Sequence, residues 1–215
     1  MRCYGHFVGG KPVAGTSGRT APVYQPMTGE QVAEVALATA AEVRAAVAVA
    51  KAAQPDWAAV NPQRRARVLM KFLELCNARA DDIADRLARE HGKTLPDAKG
   101  DLQRGLEVIE MAIGAPHLLK GEYTTDAGPG IDLHSMRQPL GVVAGISPFN
   151  FPAMIPLWMC GPAIAAGNAF VMKPSERDPG VPLMFAEIWM EAGLPAGIFN
   201  VVNGDKEAVD ALLTD

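Results

Sequence analysis

Residues 139–177 read PLGVVAGISPFNFPAMIPLWMCGPAIAAGNAFVMKPSER, and from 139 through 172 no Asp, Glu, Lys or Arg interrupts the run, in a chain of 215 residues of which 20% are charged. Such a stretch belongs in a protein core or in lipid, because an unpaired charge is costly in either. Lipid is the poorer fit. A membrane span needs roughly 20 apolar residues in one helix, and Pro148, Pro152, Pro156 and Pro162 each remove a backbone donor here. Three elements account for the run better. Residues 141–146 form a short apolar strand, expected to be buried on both faces. Residues 151–166 form a buried helix with Pro152 in its first turn, stopped by Gly167 and Asn168, which tolerate the left-handed backbone of a helix end. Residues 169–172 form a second strand that ends abruptly at Lys173, Pro174, Ser175, Glu176 and Arg177. The pattern is a βαβ unit, with parallel strands and a right-handed crossover.

Open parallel sheets bind ligands outside the carboxyl ends of their strands. Both strand ends carry polar groups here, Ser147 and Asn150 on one and Lys173 and Glu176 on the other. Two readings follow for the second group. Lys173, Glu176 and Arg177 form half of a ligand site, or they cap the next helix, whose start attracts such residues in any case. Asn150 likewise either presents its amide to a ligand or satisfies the backbone of its own turn.

Composition narrows the function classes. The chain is long enough for one large or two small domains. With 20 basic and 24 acidic residues and a net charge of −4, nothing favours nucleic acid or an anionic membrane as a partner. Cys3, Cys76 and Cys160 show no metal-ligand spacing. They read as reduced thiols of a cytoplasmic protein, and the first residues lack the apolar segment of a signal peptide.

Along the chain, residues 4–36 read as small strands joined by Gly- and Pro-containing turns. From Thr39 the apolar period becomes helical. Thr39 caps a helix expected to stop at Gln54 and Pro55, and Asn61 followed by Pro62 opens a second helix with Leu69, Phe72 and Cys76 inward. Arg64, Arg65 and Arg67 on that helix read as a solvated face. A third helix spans 81–91 and ends at Gly92; a fourth is expected over 95–119. Residues 121–138 are polar, Gly-rich and weakly alternating, with the tightest turn signal at 126–130. Beyond the βαβ unit come a helix over 181–192, a strand over 198–202 and a further helix from 206. His91 reads as a turn residue, since no second metal-ligating side chain stands at a useful spacing. Arg104, on general grounds, reads as exposed.

The PFNFP loop at 148–152 and the segment GNAFVMKPSER at 167–177 resemble the aldehyde dehydrogenase superfamily, whose members carry a Pro-aromatic-Asn-aromatic-Pro loop and a Lys-Pro-Ser-Glu strand end. Phe149 where Trp is common, and the apolar segment Met154-Ile155-Pro156-Leu157-Trp158-Met159, bring the chain nearest to the CoA-acylating methylmalonate-semialdehyde dehydrogenase branch. The turns at 25–30 and 90–94 resemble those of the family, with Gln25 and Met27 as departures. The likeness covers nearly the whole chain, but the chain resembles less than half of the family's length.

The resemblance implies an α/β fold: a Rossmann-like parallel sheet with flanking helices, part of the cofactor domain, preceded by small strands and a helical stretch. It divides the chain into 1–120, an oligomerisation hairpin at 121–138, and part of the NAD-binding βαβ domain at 139–215, with the catalytic domain outside this sequence. It implies NAD as cofactor, with Lys173 and Glu176 at the adenosine ribose, Arg177 nearby, and Ser147 and Phe149 on the nicotinamide half. The Glu176 carboxylate would repel a 2′-phosphate and so favour NAD over NADP. Asn150 becomes one half of an oxyanion hole, Arg104 a carboxylate-binding residue in the substrate funnel, and CoA the acceptor of the acyl group. The substrate is a small semialdehyde and the complete enzyme a homo-oligomer. The family's nucleophile is a cysteine far downstream, so this chain by itself is expected to be inactive. A nucleotide-binding or assembly module derived from the same ancestor, without catalysis, is the competing reading.

Overall fold

A computed structural model describes residues 2–214 of the chain. Ten strands and eight helices follow one another in the described residues. Strands β1 (Arg2–Tyr4), β2 (His6–Val8), β3 (Lys11–Val13), β4 (Thr20–Gln25) and β5 (Glu30–Ala36) come first. Helices α1 (Ala40–Ala59), α2 (Pro62–Ala78), α3 (Ala80–His91), α4 (Leu95–Ile113) and the single turn α5 (Ala115–Leu118) precede a hairpin of β6 (Tyr123–Gly128) and β7 (Ile131–His134). The last section is β8 (Val142–Ile146), α6 (Met154–Ala165), β9 (Ala169–Lys173), α7 (Gly180–Glu191), β10 (Phe199–Val201) and α8 (Lys206–Thr214).

The helix ends follow local chemistry. Thr39 and Glu42 form a reciprocal capping box on α1, Asn61 accepts the Arg64 N–H ahead of Pro62 on α2, and Gly92 closes α3 in the left-handed region at φ 88°. Three boundaries differ from expectation, one being the start of α6 at Met154 instead of residue 151, which leaves Pro152 ahead of the helix and not in its first turn. Helix α1 passes through Pro55 to Ala59, because the buried Trp57 indole donates to Ile164 O at 2.9 Å and Gln54 donates to Gly167 O at 3.0 Å. These tertiary bonds hold the last turn despite the lost donor. The fourth helix breaks at Gly114 into α4 and α5 instead of running on to residue 119.

The main sheet has the order β3-β2-β10-β9-β8. β8, β9 and β10 are parallel, joined through α6 and α7, so the βαβ unit forms with the parallel strands expected. β2 joins antiparallel to β10 and β3 antiparallel to β2, which makes the sheet mixed. The remaining early strands form a separate sheet, β1-β5-β4. β9 lies between neighbours and is buried throughout. β8 corrects the expectation of burial on both faces: only Gly145 is buried. β8 is the edge of the sheet among the described residues, and an apolar groove of about 540 Å³ beside it is lined by Val47, Leu140, Val142, Ala144, Val171 and Leu212, among others.

One hydrophobic core joins this sheet to α1–α4, α6 and α7, with Phe72 stacked on Trp189 and α4 packed along α6. Gly105 permits that approach: a Cβ there would lie 2.7 Å from Leu157 Cδ1 and 3.2 Å from Met154 Cα. Arg65 departs from the solvated face assigned to it. It is buried, and donates to the carbonyls of Ala165, Ala58 and Val60 at 2.9, 3.2 and 2.6 Å. No helix among the described residues is long and apolar enough to cross a membrane.

Candidate cofactor and oxyanion site

The register that pairs Ile146 with Lys173 brings the two strand ends together, and the Ser147 N–H donates to Lys173 O at 3.1 Å. Ser147, Phe149, Lys173, Glu176 and Arg177 thereby meet at one edge of the sheet. Ser147 is buried and its hydroxyl oxygen has no partner among the described residues. Lys173 is buried, with Nζ 3.3 Å from Glu176 Oε2, while the Glu176 side chain remains 39% exposed. Phe149 is 47% exposed. The Arg177 guanidinium carbon lies 4.8 Å from its ring centroid and the His91 ring 6.4 Å away, a cation–π contact that ties the two loops.

The polar cluster after β9 does not cap the following helix. The N-cap of α7 is Pro179, without a side-chain hydrogen bond, and the Gly180 N–H goes instead to the Glu90 carboxylate at 2.8 Å. Glu90 is buried, also accepts from the Tyr4 hydroxyl, and stands 3.6 Å from Arg86. Burial raises its pKa against the opposing pull of Tyr4, Gly180 and Arg86. Asp178 is buried too, with Oδ1 lacking a partner among the described residues. Burial pushes its pKa up to about 8, with Glu90 and Asp101 adding to the rise. A cleft of about 410 Å³ between the loops is lined by Tyr24, Glu90, His91, Phe149, Glu176 and Asp178, among others.

Asn150 is exposed, and its side-chain amide has no hydrogen-bond partner among the described residues. Its backbone is held from elsewhere. Lys93 Nζ donates to Asn150 O at 2.8 Å and to Asp101 Oδ2 at 2.7 Å, and lies 4.2 Å from the Phe151 ring centroid. Asp101 Oδ1 accepts the Met154 N–H at 2.7 Å, at the first residue of α6. Sequence reasoning passed over both Lys93 and Asp101; the Gly-Lys-Thr turn was the available signal. Arg104 stands one helical turn beyond Asp101 on α4. Its guanidinium is exposed, while its carbonyl accepts the Trp158 indole N–H at 3.0 Å.

The cysteines lie elsewhere. Cys160 is fully buried and burial pushes its thiol up to about 12; Cys76 is buried and shifted in the same direction, also by burial. Cys3 is exposed on β1.

The fold is thus an α/β protein in which a parallel strand pair brings the Ser147–Asn150 loop and the Lys173–Glu176 pair to its carboxyl ends, where open sheets of this kind bind their ligands. The chain belongs to the aldehyde dehydrogenase family, whose model matches residues 13–215. It is 52% identical over 97% of its length to malonate-semialdehyde dehydrogenase of Pseudomonas aeruginosa, covering 42% of that protein. It is 47% identical over 98% of its length to the acylating, mitochondrial methylmalonate-semialdehyde dehydrogenase of Arabidopsis thaliana, covering 35% of that protein. Among solved structures, a protein of Sinorhizobium meliloti assigned as a methylmalonate-semialdehyde dehydrogenase and complexed with NAD superposes with a TM-score of 0.99 at 64% identity, over 100% of this chain and 44% of that one. The methylmalonate-semialdehyde dehydrogenase of Oceanimonas doudoroffii gives 0.98 at 52%, again over 100% and 44%. The chain therefore spans less than half the length of these relatives.

Proposed function

We propose that this chain is the cofactor-side portion of an NAD-dependent, CoA-acylating dehydrogenase of malonate or methylmalonate semialdehyde. The observation that carries the reading is the Asn150 amide, exposed and unbonded on a backbone fixed by Lys93, next to the Ser147 and Lys173–Glu176 strand ends.

The residues present fit NAD. The orphaned Ser147 hydroxyl needs a polar partner, and the Lys173–Glu176 pair offers a donor and an acceptor to a ribose diol. Bound nicotinamide would supply the acceptor for the hydride leaving the aldehyde carbon. This chain's own residues hold and orient. The Asn150 amide donates to the oxygen that gains negative charge when a thiolate adds to the aldehyde, and being neutral it does so without titrating. The exposed Arg104 guanidinium binds the carboxylate at the far end of the semialdehyde through parallel hydrogen bonds. Phe149 is fixed between Arg177 and His91 and walls the nicotinamide side.

Neither buried thiol serves as nucleophile, since burial disfavours the thiolate, and Cys3 lies on β1 in the other sheet from β8 and β9; the reading therefore assigns the thiolate to the part of a full-length enzyme that this chain does not span. The likeness to the acylating methylmalonate-semialdehyde dehydrogenase of Arabidopsis thaliana supports transfer of the acyl group to an acceptor, which the reading takes to be CoA. Three free cysteines suit the cytoplasmic assignment. The β6–β7 hairpin exposes Tyr123, Ile131 and Leu133 at 64, 58 and 56%, which suits contact with another subunit. The test is direct. The 215-residue chain should bind NAD but not oxidise malonate semialdehyde, whereas an enzyme of full relative length carrying this segment should form acyl-CoA and NADH together. Turnover by the 215-residue chain, or a full-length enzyme inactive on both semialdehydes, would overturn the reading.

A further inference from the structure

Five consecutive residues, 150–154, connect the proposed oxyanion donor to the start of α6. No side chain from within that helix caps it, since its N-cap is Ala153. Two residues far back in the sequence, brought against α6 by the packing of α4 along it, do the work instead. Lys93 follows Gly92 at the end of α3, and Asp101 lies in the second turn of α4. The Asp101 side chain is fully buried and that of Lys93 only 15% exposed. Asp101 holds the Met154 N–H through one oxygen and the Lys93 ammonium through the other, both at 2.7 Å. Lys93 in turn holds Asn150 O at 2.8 Å and covers the Phe151 ring at 4.2 Å.

We propose that Lys93 and Asp101 are positioning residues for the Asn150 amide, fixing the loop backbone at both ends so that the unbonded side chain is aimed before substrate arrives. This rests on the proposed oxyanion role of Asn150. Two features point to positioning beyond helix capping. A neutral Asn or Ser at 101 would satisfy Met154 without burying a carboxylate, and a buried charge needs its partner. The partner supplied reaches past Asp101 to the carbonyl of Asn150 itself. Since the amide makes no hydrogen bond among the described residues, only the backbone and two side-chain torsions set its direction. A donor aimed in advance of reaction is what oxyanion stabilisation requires.

The test has two arms. In the 215-residue chain, hydrogen exchange is followed over 147–154 for Lys93→Met and for Lys93→Met/Asp101→Asn; the second variant removes the stranded charge, so that misfolding does not confuse the result. Exchange over 147–154 should quicken by about tenfold or more while β9 and α7 keep native protection. Unchanged exchange in a folded variant overturns the proposal whatever the kinetics show.

In the full-length enzyme, single-turnover NADH formation is measured for Lys93→Met/Asp101→Asn, for Asn150→Ala, and for the combination. Misplacing a reacting group by about 1 Å costs on the order of 10²-fold, so the dyad variant should lose roughly 10- to 100-fold in rate with NAD affinity kept. It should lose little more when Asn150 is already Ala. A dyad loss that multiplies in full with the Asn150→Ala loss overturns positioning. A loosened loop together with a kinetically silent Asn150→Ala supports the dyad's hold on the loop and sinks the oxyanion reading alone.

Discussion

Glu90 and Gly180 are joined by a hydrogen bond of 2.8 Å across 90 positions of sequence, the carboxylate at the end of α3 closing the first turn of α7. A Cβ at 180 would sit 2.3 Å from Glu90 Oε1, so glycine is required for the contact. Because this carboxylate takes the capping role and also binds the Tyr4 hydroxyl, the segment from Lys173 to Arg177 is released from it. Within that segment Lys173 and Glu176 pair with each other at 3.3 Å, and Arg177 lies over the Phe149 ring.

Asn150 carries the first expectation. In an enzyme of full relative length, Asn150→Ala should slow single-turnover NADH formation by about 10²–10³, the usual cost of one oxyanion donor. NAD binding should change little. Asn150→Asp, nearly isosteric but anionic, should be at least as damaging; a near-normal rate for it would make Asn150 a turn residue only.

Glu176 sets the second. Its carboxylate, paired with Lys173 and partly exposed, should repel a 2′-phosphate. Glu176→Gln is expected to lower the ratio of kcat/KM for NAD over NADP by roughly tenfold, the effect of about 1.4 kcal/mol. An unchanged ratio would remove Glu176 from the ribose site.

Asp178 gives a pH dependence. Its carboxyl titrates near 3.9 when unfolded and at about 8 in the folded chain, raised first by burial. Between those values the folded state binds the extra proton, so the group's contribution to stability falls as pH rises from about 4 to about 8 and is flat beyond. Asp178→Asn should leave Tm unchanged near pH 4 and raise it increasingly toward pH 8. A difference independent of pH would show that the carboxyl is not held neutral.

Arg65 tests the join between α1, α2 and α6. Arg65→Met keeps much of the apolar stem but strands the carbonyls of Ala165, Ala58 and Val60. A loss of about 2–3 kcal/mol is expected, read as a lower urea midpoint at unchanged m-value. A shift within about 0.5 kcal/mol, typical of a surface position, would contradict the buried role.

The sequence by itself determined the βαβ unit, because a charge-free run cut by Pro and Gly leaves few other arrangements. It also determined the helix starts at Thr39 and Asn61 and the stop at Gly92, where side-chain and backbone chemistry act within a few residues. The two polar strand ends were legible for the same reason: parallel strands place their carboxyl ends side by side. Tertiary structure decided what lay outside any local window. The buried Arg65, the passage of α1 through Pro55, the antiparallel addition of β2 and β3, and the exposed edge of β8 depend on which element packs where. So do the contacts of Lys93 and Asp101 with the Asn150 loop, 57 and 53 positions away. Periodicity and capping preferences register the backbone of a segment, whereas the partner of a buried polar group is whatever the rest of the chain brings to it.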